Sequence, residues 1–206
     1  MLAKAPGIQL AYGLKITLLN TKPPVWRRVC LPGEITLDRL HDIVQIVMGW
    51  RDSHLHLFKI KGKTYAENPE EDWEGEEERA HRLSDLVTSS GEHFDYDYDF
   101  GDGWHHRVVI EKISKVPEGY KAVTKCLGGK RRCPPEDVGG THGFVEFLKA
   151  CKDPRHPEHE QMLMWVGGAF DPNDFDPDAV NLELFKYARW SRPRALELDL
   201  SVGAED

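Results

Sequence analysis

Between Asp95 and His106 the chain reads DYDYDFGDGWHH, and no other segment limits the fold as strongly. Asp95, Asp97 and Asp99 alternate with Tyr96, Tyr98 and Phe100. Successive side chains of an extended strand point to opposite faces, so one short segment separates a carboxylate face from an aromatic one. Gly101-Asp102-Gly103 follows and supplies the positive-φ positions that a tight hairpin loop needs. Glu92–Phe100 and Trp104–Ile113 are therefore expected to pair as an antiparallel hairpin with its rings turned inward. Rings belong in a core, whereas a row of carboxylates does not. The acid face marks a candidate functional surface.

The rest of the chain supplies partners for that hairpin. Ile8–Asn20 and Val25–Leu31 read as an antiparallel pair of strands joined through a Lys-Pro-Pro turn. Pro23 and Pro24 lack amide donors, which places this turn at a ladder end. Thr36–Trp50 is the clearest helix, with Thr36 as N-cap, Asp38 in the first turn and Gly49 as its C-terminal stop. Its apolar stripe, Leu37, Leu40, Ile43, Val44 and Val47, should lie on a sheet. Strands are expected at His54–Ile60, Thr64–Ala66 and Tyr120–Leu127, with a helical turn at Leu83–Val87. Helices are expected from Thr141 to Cys151, Pro157 to Trp165 and Pro177 to Trp190, the last capped by Asp176. Leu196, Leu198 and Leu200 alternate in the tail, as an edge strand would. Strands around one helix followed by a run of helices give an α+β class, a mainly antiparallel sheet covered by helices.

Charge excludes some functions. The formal net charge is −8, and the run from Glu67 to Glu78 alone contains eight acids and no base. This acidic loop, residues 67–80, reads as a solvated segment, and the remainder of the chain is close to balanced. Small basic clusters at Lys125–Arg132 and Arg189–Arg194 do not amount to the excess that a sequence-independent nucleic-acid coat requires. No apolar run reaches the roughly 20 residues that span a bilayer, so no membrane role is expected. The N-terminus has no hydrophobic core or small-residue cleavage motif, which points to the cytoplasm. Four cysteines without a secretory signal are expected as thiols or metal ligands rather than disulfides.

Four motifs occur in order: PPVWRR, YDFGDGWHH, CPPEDVGG and FDPNDFD. On these the chain resembles the plasmid ORF-3-like family, named after an open reading frame of a root-inducing plasmid, from Ile8 to Trp190. The resemblance implies one α+β domain, residues 1–190, followed by a tail, 191–206. It also implies an association with mobile elements, because relatives occur as plasmid and insertion-sequence passengers. It brings no established activity. The resemblance also implies that some relatives read CPPEDCGG where this chain has Val138, a departure that counts against a multi-cysteine metal site here.

The candidate chemistry lies in three places. Asp95, Asp97, Asp99 and Asp102 offer oxygen ligands for a divalent cation. A calcium loop is excluded, because its sixth position is Phe100 instead of glycine and its twelfth is His106 instead of glutamate. The alternative is structural, with the carboxylates bonded to turn amides or neutralised by Arg107, Arg27 or Arg28. His105 and His106 face opposite ways, and registry puts His105 or Arg107 on the acid face. His54 and His56, at i and i+2, share a strand face. Second, Cys126, Cys133, Cys151, His156 and His159 form a candidate structural-zinc set. The spacing between Cys126 and Cys133 is not the tight Cys-x2-Cys of a zinc knuckle, and buried thiols are the competing reading. Third, Glu136 and Asp137 precede Gly139-Gly140 and are expected to cap those amides themselves. Asp171, Asp174 and Asp176 read as a helix-start device. No nucleophile elbow, phosphate loop or HExxH is present.

Two functions follow. One is a non-catalytic binding module for a protein or nucleic-acid partner, with Asp95, Asp97, Asp99, Asp102, Trp104, His105, Glu136 and Asp137 as its surface. The other is a metal-dependent enzyme, a hydrolase or one acting on phosphate esters, using Asp97, Asp99, Asp102 and one of the two histidines, with Asp99, Asp102 and His105 as the catalytic candidates.

Overall fold

The computed structural model describes residues 9–69 and 75–190. The hairpin lies at the centre of the sheet. Strands β1 (Leu10–Leu18), β2 (Val25–Pro32), β3 (His56–Ile60), β4 (Lys63–Ala66), β5 (Gly75–Glu77), β6 (His93–Tyr98), β7 (Trp104–Lys115) and β8 (Lys125–Lys130) form one sheet in the order β5-β4-β3-β6-β7-β1-β2-β8. Every neighbouring pair is antiparallel except β4–β5. The helices are α1 (Leu37–Met48), α2 (Leu83–Leu86), α3 (Gly140–Lys152), α4 (His159–Trp165) and α5 (Pro177–Trp190). This is a single α+β domain.

Period-two alternation determines which sheet face is wet. Tyr12, Leu14, Ile16 and Leu18 of β1, Val25, Val29 and Leu31 of β2, and Val108 and Ile110 of β7 are all buried. They form one core cluster with Leu37, Leu40, Ile43, Val44 and Val47 of α1. Burying each large apolar side chain contributes about 1.5–3 kcal/mol. The opposite face carries charge, including the bidentate Arg28–Glu111 pair at 2.7 and 2.9 Å. An antiparallel sheet with one packed and one solvated face needs this pattern. At the β8 edge, the Asn181 side chain of α5 accepts from the Cys126 amide (2.8 Å) and donates to its carbonyl (3.0 Å). One side chain thus stands in for a further strand at that edge.

Several boundaries differ from the sequence expectation. The strand expected at Tyr120–Leu127 is β8, displaced to Lys125–Lys130, so it takes in the two glycines read as loop. Gly129 permits this, because a Cβ there would meet the Phe175 ring at 2.7 Å and Arg27 Cδ at 2.8 Å. Helix α3 begins at Gly140 with Gly139 as N-cap, leaving Thr141 inside the helix. Thr36 does precede α1, but its hydroxyl donates to Asp38 instead of capping a backbone amide. The acidic stretch is not all loop, since Gly75–Glu77 pairs with β4 and Glu78 is buried. The tail alternation at Leu196–Leu200 lies outside the described residues.

One buried cation ties these layers together. Arg27 points inward from β2, donates to the Val47 carbonyl (2.7 Å) near the end of α1, and reaches the carbonyls of Trp26 (2.9 Å) and Lys130 (3.2 Å). Its guanidinium lies 4.1 Å from the centroid of the Phe175 ring. Partial negative charge at a helix C-terminus and an aromatic face both favour a cation. Arg27→Met should therefore lower unfolding free energy by about 2 kcal/mol or more, because it leaves buried carbonyls without a donor. Urea denaturation with an unchanged m-value measures this, and a loss under about 0.5 kcal/mol would remove Arg27 from that role.

Candidate functional site

Within the hairpin, Tyr96 lies opposite His106, Asp97 opposite His105 and Tyr98 opposite Trp104. The ring face is fully enclosed: Tyr96, Tyr98 and Trp104 are each 0% exposed. Trp104 is thus a core residue and not part of a binding surface. Phe100 is exposed, because the strand stops at Tyr98 and Asp99 turns left-handed (φ 55°), which ends the alternation before the third ring. Trp50, from the segment after α1, stacks on Tyr98 at 5.0 Å and donates its indole N–H to the Pro134 carbonyl (2.9 Å).

The acid face proves to be a set of ion pairs. Arg107 bonds Asp95 through both Nε (2.9 Å) and a terminal nitrogen (3.3 Å). Asp97 lies between Lys59 Nζ (2.8 Å) and His105 Nδ1 (2.6 Å). Burial raises the Asp97 pKa, but these two partners outweigh it and hold the carboxyl below its usual value. Both sequence candidates for cross-strand partners, His105 and Arg107, are used, each for a different aspartate.

At the hairpin tip the acids act differently. Asp99 Oδ1 accepts the amides of Gly101 (2.9 Å) and Asp102 (3.2 Å), which turns Oδ2 toward His54 at 3.5 Å. Asp102 Oδ2 accepts the Gly139 amide (3.1 Å), so the hairpin loop supplies the cap expected from Glu136 or Asp137. The two loops meet at Gly140, whose φ of +65° and contact with the Asp102 carbonyl leave no room for a Cβ. Glu136 instead accepts from the Tyr98 hydroxyl (2.5 Å) and the Arg51 amide (3.2 Å). Asp137, left-handed at φ 60°, presents Oδ1 3.1 Å from His54 Nε2. His54, Asp99 and Asp137 thus bring three potential ligand atoms within 4.8 Å of one another.

His54 and His56 do not share a strand face. β3 begins only at His56, which turns inward to Glu78 Oε2 (2.8 Å) and stacks on His41 of α1 at 3.5 Å with planes 11° apart. His41 also bonds Asp52 (2.8 Å) and the Tyr96 hydroxyl (2.8 Å), which accepts from Gln45 (3.0 Å). His41, Asp52 and His56 cluster as metal ligands would. However, ring-nitrogen lone pairs lie in the ring plane, and two parallel planes cannot aim them at one ion. This cluster is a buried polar network between α1 and the sheet, invisible in the sequence because Glu78 sat in a run of solvated-looking acids.

The sulfur set is spread out. Cys126 Sγ contacts the Gly128 carbonyl (3.7 Å), Cys133 is enclosed in the core, and Cys151 is half-buried on α3. His159 donates to the Ala150 carbonyl (2.8 Å), and His156 accepts from the Glu158 amide (3.2 Å). Burial pushes the Cys126 and Cys133 thiols up, away from the thiolate a metal needs. None of these five residues belongs to a converging ligand group among the described residues.

Two grooves open beside the hairpin tip. One, of about 590 Å³, runs between α3 and α4 and is lined by Val138, Phe147, Met162, Met164 and Trp165, with Asp137, Glu146 and Glu158 at its rim. The other lies between the Trp50–Ser53 segment and the Arg132–Asp137 loop, and shares Asp137 and Trp165 with the first. Among the described residues no helix is long and apolar enough to cross a membrane.

The sequence model of the plasmid pRiA4b ORF-3-like proteins matches residues 10–179. The chain belongs to the plasmid pRiA4b ORF-3-like family. The uncharacterized protein y4hQ of Sinorhizobium fredii is 37% identical over 188 residues, 87% of this chain and 93% of that protein. A crystal structure of MM3350 from Methanosarcina mazei Go1, a protein of unknown function, shares the fold with a TM-score of 0.75 and 37% identity, covering 84% of this chain and 98% of that one. The four motifs of this ORF-3-like protein meet in pairs. Arg27 of PPVWRR meets Phe175 of FDPNDFD, and Tyr98 of YDFGDGWHH meets Glu136 of CPPEDVGG.

Buried imidazoles make this ORF-3-like fold sensitive to acid. Burial lowers the His106 pKa from 6.5 to about 4, and burial together with neighbouring His56 lowers that of His41 to about 3. Below about pH 6.5 the unfolded chain binds protons that the folded chain refuses, so stability is complete above that pH and falls toward pH 4. Each group contributes at most about 1.4 kcal/mol per pH unit. The urea midpoint should fall between pH 7 and 4.5, and His106→Phe should make that fall shallower. Identical pH slopes for the two proteins would show that folded His106 does accept a proton.

Proposed function

We propose that this protein is a non-catalytic binding module that takes an apolar segment of a partner protein, flanked by basic residues, into the groove between α3 and α4. One observation carries the reading. Met164 (81% exposed) and Trp165 (46% exposed) project from α4 beside Met162 and Val138, and the rim residues Asp137, Glu146 and Glu158 are all acids. Unbranched, polarizable methionines beside an aromatic ring accommodate varied apolar anchors. Rim carboxylates attract lysine and arginine and repel phosphate, which favours a protein partner over nucleic acid. Four free cysteines suit a reducing compartment such as the cytoplasm.

A metal-dependent hydrolase would need Asp97, Asp99, Asp102 and His105 to converge on one substrate. The geometry gives that reading less support, because Asp97 and His105 bond each other and Asp102 faces the Gly139 amide.

Selection of a displayed random-peptide library on the full chain tests the groove. Peptides with an aromatic or aliphatic anchor between lysines or arginines should be enriched, and Met164→Lys should weaken them about tenfold or more, a loss of about 1.4 kcal/mol. Enrichment of acidic peptides, or binders indifferent to Met164→Lys, would overturn the reading.

A further inference from the structure

We propose that His54, Asp99 and Asp137 form a binding site for one divalent transition-metal ion of the zinc or manganese kind. The site stands independently of the groove reading. Its donors come from three separate places: the segment leading into β3, the hairpin tip and the loop before α3. Two oxygens and an imidazole nitrogen from distant parts of a chain form a mixed donor set, and imidazole selects borderline transition metals over calcium or magnesium.

The spacing fits an ion. With metal–ligand bonds of about 2.0–2.2 Å, two ligands of one tetrahedral or octahedral ion lie about 3.0–3.5 Å apart. His54 Nε2 is 3.1 Å from Asp137 Oδ1 and 3.5 Å from Asp99 Oδ2. The orientation points the same way. His54 Nε2 is shielded from solvent, and despite these short distances it makes no aligned hydrogen bond to either carboxylate. A histidine serving only as an ion-pair partner would aim its N–H at one oxygen, as His105 does at Asp97. The His54 nitrogen instead lies at ligand spacing from both oxygens without committing to either.

The Asp99 oxygen is also held in place. The Gly101 and Asp102 amides grip Asp99 Oδ1 and leave Oδ2 for the ion, with the side chain 8% exposed. Asp137 is the solvent-facing ligand, 69% exposed, and gives access for loading and for the remaining coordination positions.

The experiment uses the full chain stripped by chelator and titrated calorimetrically with zinc chloride or manganese chloride alone, with thermal melting in parallel. One equivalent should bind and raise the melting temperature. Asp137→Asn and Asp99→Asn should each weaken binding about tenfold or more, and His54→Ala at least as much. Asp99→Asn keeps the oxygen that accepts the turn amides, so its apo melting temperature should stay near wild type and separate ligation from folding. His105→Ala, which lies on the hairpin but outside the cluster, should leave the affinity unchanged. The proposal is overturned if neither ion binds or stabilises the stripped protein. It is also overturned if His54→Ala and Asp137→Asn bind as wild type does, or if Cys126→Ser or Cys133→Ser abolishes binding instead.

Discussion

The Arg27 guanidinium sets the distance between sheet and helices. It sits on the packed face of β2, where the pattern of alternation calls for an apolar residue, and satisfies its donors with carbonyls of α1, β2 and β8. A buried charge is tolerated only where its environment replaces water, and here the C-terminal end of α1 and the Phe175 ring do so. The consequence reaches the candidate site. By pinning Val47, Arg27 fixes where α1 ends, and Gly49 then releases the chain in a left-handed turn toward Trp50, Arg51 and His54. Trp50 and Arg51 engage Pro134 and Glu136, so the ends of two distant segments are registered against each other.

The hairpin adds a division of labour. Its inner face commits four rings and His106 to the core, while its outer face spends two aspartates on cross-strand and neighbouring cations. The exposed Arg107–Asp95 pair adds little stability, whereas Asp97 is buried between its two partners, and both carboxylates are thereby neutralised. Function-bearing geometry moves to the tip, where Asp99 leaves the strand conformation and its carboxylate is turned by the loop amides. One residue past the strand end changes an aspartate from a cross-strand partner into a candidate ligand.

Much of this was legible beforehand, for a physical reason. Period-two and period-3.6 patterns report which side of an element is buried, so the β6–β7 hairpin, α1 and the α+β class could be read from Tyr96, Tyr98, Leu40 and Val44. Registry also offered His105 or Arg107 as the partner of the acids, and the structure uses both. Long-range pairing has no such local signature. Glu78 reads as one more acid in an exposed run, yet it is buried against His56 because β5 joins the sheet in parallel with β4. The i, i+2 spacing of His54 and His56 predicts a shared strand face, and only the late start of β3 separates them. Cys133 offered a possible metal ligand by type, yet it is simply enclosed in the core. Sequence neighbours were legible as neighbours, whereas partners brought together by topology were not.

Asp137 connects the two proposals through one side chain. It is the most exposed of the three proposed ligands and also stands on the rim of both grooves. An ion bound by His54 and Asp99 would engage that carboxylate too and neutralise part of the acidic rim. A basic residue of a bound segment competes for the same oxygens. Linkage then requires the two ligands to oppose each other equally, the metal weakening the basic segment by the factor by which that segment weakens the metal. The effect is confined to the flank nearest Asp137, because Glu146 and Glu158 lie outside the cluster. A partner anchored chiefly by apolar contact with Met164 and Trp165 would feel the metal least, and one relying on a lysine at that flank would feel it most.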